Sequence, residues 1–546
     1  MSHYKYLKYG IIFIVLAFIS SLFYIQDSSL INTDSGIHLF RMISLSENLS
    51  HGEWLPSLHD KNMYGGGYLF DIFYPATTLY PGAIIALFGI PYKIAFLINI
   101  IIIRFVSFVL AFISSNYYFE NTKKSFIFSI IYIIGFCRMI PYCYGGLFAD
   151  DTSSLAFPLV FFGAMQLKKN KSWKMLAFGM CLMLYCHMLS FYLAVLFCFV
   201  YFFILNIKTF IKKDFFIPLL KATLVSMCLC VGFLIPFFLN VTGTKYRLQV
   251  NSNVWDGIKS NSIFFPALSF LADTMKDNCI RLLCLFVFVL VLCFIYRYFK
   301  KKQNNVVPFS FFALFSLYVF LSTDLFPFWI FSNISIVEII QFGFRIANVI
   351  YVPACIFLCH LLYDHKFELS IFIIVSILFL CINMIGGTAV GEPSFYLNKK
   401  NDTYIAVGLG EFLPIDYYSA LESNDYGINN YPACDYVIID NNIETKVPVK
   451  RSWHKTTVEV PNENVDVRTY LVYYKNYKAT INGTPIDVIN DNGMVCINDV
   501  PAGTLEVYYK IPLYQIIVSI FSVLSFMCFV SWSIYDVKKK NKKGNP

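Results

Sequence analysis

The chain has 546 residues, of which 57% are hydrophobic, 18% aromatic and only 14% charged, with a formal net charge of +9. Soluble domains run near a quarter charged, so this deficit excludes an ordinary soluble multidomain protein and assigns much of the chain to lipid, where charge is costly. The positive balance is no nucleic-acid footprint, because Lys and Arg fall in short clusters between apolar runs, as in the cytoplasmic loops of membrane proteins.

A spanning helix needs about 20 apolar residues. Residues 9–25, preceded by Lys5 and Lys8, form the first candidate, read as an uncleaved helix because no small-residue cleavage site follows. Further candidates are 94–118, 125–141, 154–167, 172–187, 188–206, 215–240, 279–299, 306–322, 340–362, 367–386 and 511–535, about twelve in all. The apolar stretch 79–90 is short and reads as re-entrant or a partial span. With the N-terminus inside, the clusters at Lys123–Lys124, Lys168–Lys171, Lys208–Lys213, Lys300–Lys302 and Lys538–Lys543 all fall on the cytoplasmic side. This threading predicts a polytopic α-helical membrane protein with both termini cytoplasmic. Residues 26–78, 138–153, 241–278, 323–339 and 387–510 are then left outside.

The division expected is a multi-pass module over 1–386, an extracytoplasmic domain over 387–510, and a last span with a basic tail over 511–546. Within 387–510 the texture changes. From 446 onward, KTTVEV, TYLVYY, KATI, DVI, MVCI and LEVYY alternate apolar and polar positions, and Asn482-Gly483 and Asn492-Gly493 are strong hairpin signals. They predict a small β-sandwich before the last span. The sixteen cysteines lie mostly inside apolar runs and read as small buried hydrophobes. Cys434 and Cys496 share the outer domain, and their spacing leaves pairing open.

The first outer loop, NTDSGIHLFR then HGEWLP then MYGGGYLFDIFYP, is richest in chemistry. With Asn32 or Thr33 as a cap, Asp34, His38 and Arg41 share one helical face at i, i+4 and i+7. A carboxylate there can accept a proton from a hydroxyl, and a guanidinium can hold a phosphate; a capping Asp with interfacial polar neighbours is the competing reading. Gly65-Gly66-Gly67 reads as a loop before it reads as a ligand cradle. Asp150 and Asp151 are either a cation or acceptor site, or a cap with first-turn acids. His187 lies at an outer hairpin. Glu338, Gln341 and Arg345 recur at helical spacing, and Arg345, a turn inside a span, calls for an anion such as a lipid phosphate. No P-loop or dinucleotide fingerprint is present.

The ordered set TDSGIHLFR, GEWLP, YGGGY, FYP, IIQFGFR, GEFLP and the closing YYKNYKATINGTPI and VPAGTLEVYYK resembles the YfhO-like membrane proteins and, more broadly, the GT-C superfamily of glycosyltransferases, over nearly the whole chain. The resemblance implies an inverting glycosyltransferase that moves a sugar from a polyprenyl-phosphate carrier to a cell-envelope acceptor. In that reading Asp34 is the catalytic base, and His38 and Arg41 are its neighbours. Asp150, Asp151 and His187 lie about the same site, and Arg345 with Gln341 binds the donor phosphate. No paired-acid metal motif is evident, which leaves a divalent cation requirement open. A transporter or flippase, and a non-catalytic envelope assembly factor, are the competing functions.

Overall fold

The computed structural model describes residues 2–25, 34–135, 147–204, 206–210, 212–247, 314, 317, 344–363, 365–385, 410–423 and 435–543. The expected span at 279–299, that at 306–322 apart from 314 and 317, the stretch 387–409, and the residues Asn32, Thr33, Glu338, Gln341 and Cys434 lie outside them. Two compact units divide the chain.

The first unit comprises Met1–Gly36, Lys93–Met227 and Asn253–Glu392. Its helices are α1 (Ser2–Ser21), the start of α2 (Asp34–Ser50), most of α5 (Tyr92–Phe119), α6 (Thr122–Ile134), α7 (Phe148–Thr152), α8 (Phe157–Asn170), α9 (Lys174–Cys186), α10 (Met188–Phe199), α11 (Ile207–Phe210), the first half of α12 (Lys213–Val241), α13 (Phe344–Leu362) and α14 (Lys366–Ile385). Local chemistry sets several of the ends. Asn121 accepts from the backbone N–H groups of Lys123 and Lys124, both at 3.0 Å, and so caps α6. Lys171 closes α8 in the left-handed conformation. A Cβ on Gly163 would lie 2.6 Å from the backbone N of Leu176, so glycine lets α8 and α9 touch at the backbone.

Among the described residues, four helices are long and apolar enough to cross a membrane: Tyr4–Ser21, Tyr92–Phe119, Lys213–Val241 and Leu513–Lys539. Where they are described, the segments expected as spans at 125–141, 154–167, 172–187 and 188–206 form helices α6, α8, α9 and α10, each under 18 residues.

The second unit comprises Ile37–Tyr92, Cys228–Ser252 and Pro393–Pro546. It holds most of α2, the short α3 (Phe70–Phe73) and α4 (Tyr80–Leu87), the end of α12, α15 (Ile415–Ser423), ten strands and the final α16 (Leu513–Lys543). The strands are β1 (Asp435–Asp440), β2 (Ile443–Pro448), β3 (Lys450–Ser452), β4 (Lys455–Val460), β5 (Val465–Val472), β6 (Tyr477–Ile481), β7 (Thr484–Ile486), β8 (Ile489–Asp491), β9 (Met494–Val500) and β10 (Gly503–Tyr509). They form two five-stranded antiparallel sheets, ordered β2-β1-β5-β9-β8 and β3-β4-β10-β6-β7. Among the described residues the first strand starts at Asp435, ahead of the expected start at 446. Both Asn-Gly pairs sit at tight hairpin turns with two positive φ angles, as does Asn441-Asn442.

One core serves both sheets. Val458 and Val460 of β4, Leu505 and Val507 of β10, and Val465 and Val467 of β5 are buried in it. Each fully buried aliphatic side chain contributes about 1.5–3 kcal/mol. Residues of the first loop and of the GEFLP segment enter the same core, with Phe73 and Phe412 stacked at 5.1 Å. Cys496 is a buried free thiol.

The glycine run is packed against this β region. Gly66 O accepts from Val472 N at 2.8 Å. Gly65 has φ +90°, and a Cβ there would lie 1.4 Å from Nη1 of Arg451. Gly65→Ala is therefore expected to cost about 2 kcal/mol through strain and displacement of Arg451, read as a lower thermal midpoint of the purified protein. An unchanged midpoint would contradict this packing.

Candidate functional site

Among the described residues, buried arginine–carboxylate pairs lie in both units. In the helical unit, α7 places Asp150 and Asp151 in its first turn, and each meets an arginine from another helix. Arg345 of α13 gives both Nε and Nη2 to Oδ2 of Asp150, at 3.2 Å each. Arg104, near the middle of α5, gives Nη2 to Asp151 Oδ2 at 3.0 Å and Nη1 to the carbonyl of Ser20 at 2.7 Å. All four side chains are buried. Removing one partner from such a pair strands a charge, so the four residues hold each other in place.

His187 joins this cluster. It takes an extended conformation between α9 and α10 and is buried. Its Nδ1 lies 2.8 Å from Ser190 Oγ and 3.5 Å from Asp150 Oδ1. A serine-histidine-acid relay needs the two ring nitrogens to face opposite partners, whereas here both partners face Nδ1. The arrangement positions the ring and builds no activated serine.

In the second unit the centre is Asp71, which sequence reading passed over. Arg41 of α2 gives Nε and Nη2 to Asp71 Oδ1 at 3.2 and 2.8 Å, and Nη2 also reaches the carbonyls of Tyr74 and Pro75 at 2.6 and 3.2 Å. The guanidinium lies over the rings of Phe70 and Tyr74. His59 Nε2 meets Asp71 Oδ2 at 3.0 Å. Burial alone would raise the Asp71 pKa, but His59 and then Arg41 outweigh it and hold the carboxyl below its ordinary value of 3.8. His38 Nδ1 lies 3.1 Å from Arg41 Nη1. A guanidinium only donates, so Nδ1 is the acceptor of this contact.

The expected site residues thus divide. Asp34 opens α2 and is half-buried, where the first-turn N–H groups stabilise a carboxylate. His38 and Arg41 follow on the same helix, but Arg41 is bound to Asp71. Arg345, expected to meet a lipid phosphate, meets the carboxylate of Asp150. Asp150 and Asp151 are first-turn acids, each neutralised by an arginine. Arg104 was legible as a lone arginine inside the apolar run 94–118; Asp71 and His59 gave no local signal.

A divalent cation does not fit the acid pair, because each carboxylate already faces a guanidinium. Among the described residues no group of three His, Cys, Asp or Glu side chains is arranged to hold a metal ion. Comparison of the chain with family models, curated proteins and solved structures finds no match.

Proposed function

We propose that the chain is an integral membrane glycosyltransferase that transfers a sugar from a polyprenyl-phosphate carrier to an extracytoplasmic cell-envelope acceptor. The observation that carries this reading is the place of Asp34, which opens α2 half-buried, in the first turn where helix N–H groups stabilise a carboxylate, soon after the first apolar helix. Asp34 is the carboxylate to which this reading gives the proton.

In this reading Asp34 accepts the proton of the acceptor hydroxyl. The acceptor oxygen forms a bond to the anomeric carbon as the bond from that carbon to the phosphate oxygen breaks. The polyprenyl phosphate leaves with that electron pair, and the centre inverts. Arg345, oriented by Asp150, and Gln341 hold the departing phosphate. No step passes through a metal. The proposed topology has about twelve spans, both termini in the cytoplasm, and the two sheets packed as an outer β-sandwich.

One observation favours a second reading. Arg104, in the middle of the apolar helix α5, pairs with Asp151 of α7, and a charge inside an apolar helix often marks a transport path. A lipid flippase would depend on that pair and tolerate loss of Asp34. The test is transfer of labelled sugar from polyprenyl-phosphate donors to envelope fractions by membranes carrying the wild type or Asp34→Asn. Transfer is expected to fall at least about 10²-fold in the variant, the usual contribution of a general base. Undiminished transfer would reject Asp34 as the base.

A further inference from the structure

The β region has one long open edge. Of the strands that end its two sheets, β3, β7 and β8 have three residues each, whereas β2 runs six residues from Ile443 to Pro448. It pairs with β1 along its full length, and among the described residues no strand lies on its other side. Such an edge presents a row of unpaired N–H and C=O groups that a further strand can complete.

The β1–β2 turn fixes which groups those are. Asn441 and Asn442 have φ of 48° and 65°, the two positive angles of a two-residue hairpin, so Asp440 and Ile443 close the turn as a hydrogen-bonded pair. Bonding alternates along an antiparallel pair. Ile443, Thr445 and Val447 therefore turn their backbone groups toward β1, and Glu444 and Lys446 turn theirs outward. Pro448 has no N–H and ends the row.

The order of side chains on this edge selects the partner. An antiparallel partner must set outward-turned residues opposite outward-turned residues. For a second copy of β2 related by a two-fold axis, this admits axes centred on Glu444, Thr445 or Lys446. An axis at Glu444 or Lys446 sets like charges against each other. An axis at Thr445 sets Glu444 against Lys446 of the second copy, twice, and all the outward groups of both residues are then bonded. It also lays Ile443 beside Val447 of the second copy, twice. Ile443 is 68% exposed, a large apolar side chain at a sheet edge, and Val447 is half-buried at the margin of the core. Glu444 accepts from Arg468 Nη1 at 3.4 Å on the open face and keeps 60% of its side chain exposed. A lone lysine on an edge strand repels a second copy; here the glutamate two residues away supplies its counter-ion in one register, and opposite charges directly across a strand pair stabilise it.

We infer that β2 pairs with β2 of a second copy of this chain, antiparallel about a two-fold axis at Thr445, so that two five-stranded sheets join edge to edge. This pairing is independent of the reaction proposed above.

The test is disulfide trapping in membranes that carry the full-length chain, oxidised with copper phenanthroline and resolved without reductant. Across the axis Thr445 faces its own copy at a Cα separation of about 4.5 Å, within the range that a disulfide spans. Thr445→Cys is expected to give a linked dimer, and the wild type only the background of its natural cysteines. Ser452→Cys, exposed on the edge strand β3 of the other sheet, should stay at that background. Lys446→Glu added to Thr445→Cys sets two like-charge pairs across the axis and is expected to cut the dimer about fivefold or more. Adding Glu444→Lys as well restores opposite charges and the dimer. Thermal midpoints of the variants separate loss of pairing from loss of folding, since Glu444→Lys also gives up the Arg468 contact. Trapping of Thr445→Cys no greater than that of Ser452→Cys, or a dimer indifferent to Lys446→Glu, would overturn the inference; an edge covered by another segment of the chain gives the first of these results.

Discussion

Asp71→Ala is expected to destabilise the protein by about 3–5 kcal/mol, because it leaves the Arg41 guanidinium buried without its counter-ion. Arg41 and Asp71 are each 1% exposed, so water cannot reach in to replace the lost partner. The carbonyls of Tyr74 and Pro75 and the ring of Phe70 would still surround the charge, but they carry no compensating negative charge. His59 would also lose the acceptor of its Nε2. Arg41→Met combined with Asp71→Leu is expected to recover most of the loss, since both charges then leave together. Thermal unfolding of the purified single and double variants measures both. A single variant as stable as wild type would mean that the pair contributes nothing. The pH dependence follows from the lowered Asp71 pKa. A carboxyl depressed on folding contributes stability above its unfolded value of about 3.8, and loses it as pH falls through the lower folded value. This pair therefore adds no pH dependence between pH 5 and 8 and weakens only in strong acid.

The closure of residues 51–60 over the β3–β4 turn is expected to show the opposite dependence. Burial works against the charge on His454, but Asp60 and Glu53 prevail and raise its pKa from 6.5 to about 9. A histidine raised on folding contributes its full stabilisation below the unfolded value of 6.5 and loses it as pH rises through about 9. The shift corresponds to roughly 3 kcal/mol. Amide exchange or proteolysis in residues 51–60 should be slow at pH 6 and rise above pH 9. The groups facing His454 are Glu53, Asp60, Ser57 and the rings of Trp453 and Tyr509. Of these, Glu53 is held below its usual range by the same contact, since His454 outweighs the effect of burial. His454→Gln should make the loop open at all pH values and flatten the profile. A loop equally protected at pH 6 and pH 10 would remove His454 as its clamp.

These two clusters show where sequence reading succeeds and where it stops. The alternation in KTTVEV and LEVYY puts Val458, Val460, Leu505 and Val507 on one face, and that face is buried. The Asn-Gly pairs mark hairpins because their backbone needs two positive φ angles. The edge strand β2 was not legible: its residues are exposed on both faces, with only Val447 half-buried, so no period-two pattern is written in it. Asp71 lay in the aromatic stretch FDIFYP and became visible only when Arg41 and His59, distant in sequence, folded onto it. Asp150 and Arg345 were both singled out as separate ligands. Only the fold reveals that they bind each other, because periodicity reports a face and not its partner. The glycine run shows the same limit, since its tight packing depends on Arg451, far along the chain.

The most direct test of the central claim is sugar transfer from a polyprenyl-phosphate donor by membranes carrying wild type, Asp34→Asn or Asp34→Glu at matched levels, with Asp71→Ala as a control for folding loss. The account predicts transfer by wild type, loss in Asp34→Asn with the protein still folded, and partial return in Asp34→Glu. Transfer that is unchanged in Asp34→Asn, or absent from folded wild type across the donor series, would contradict it.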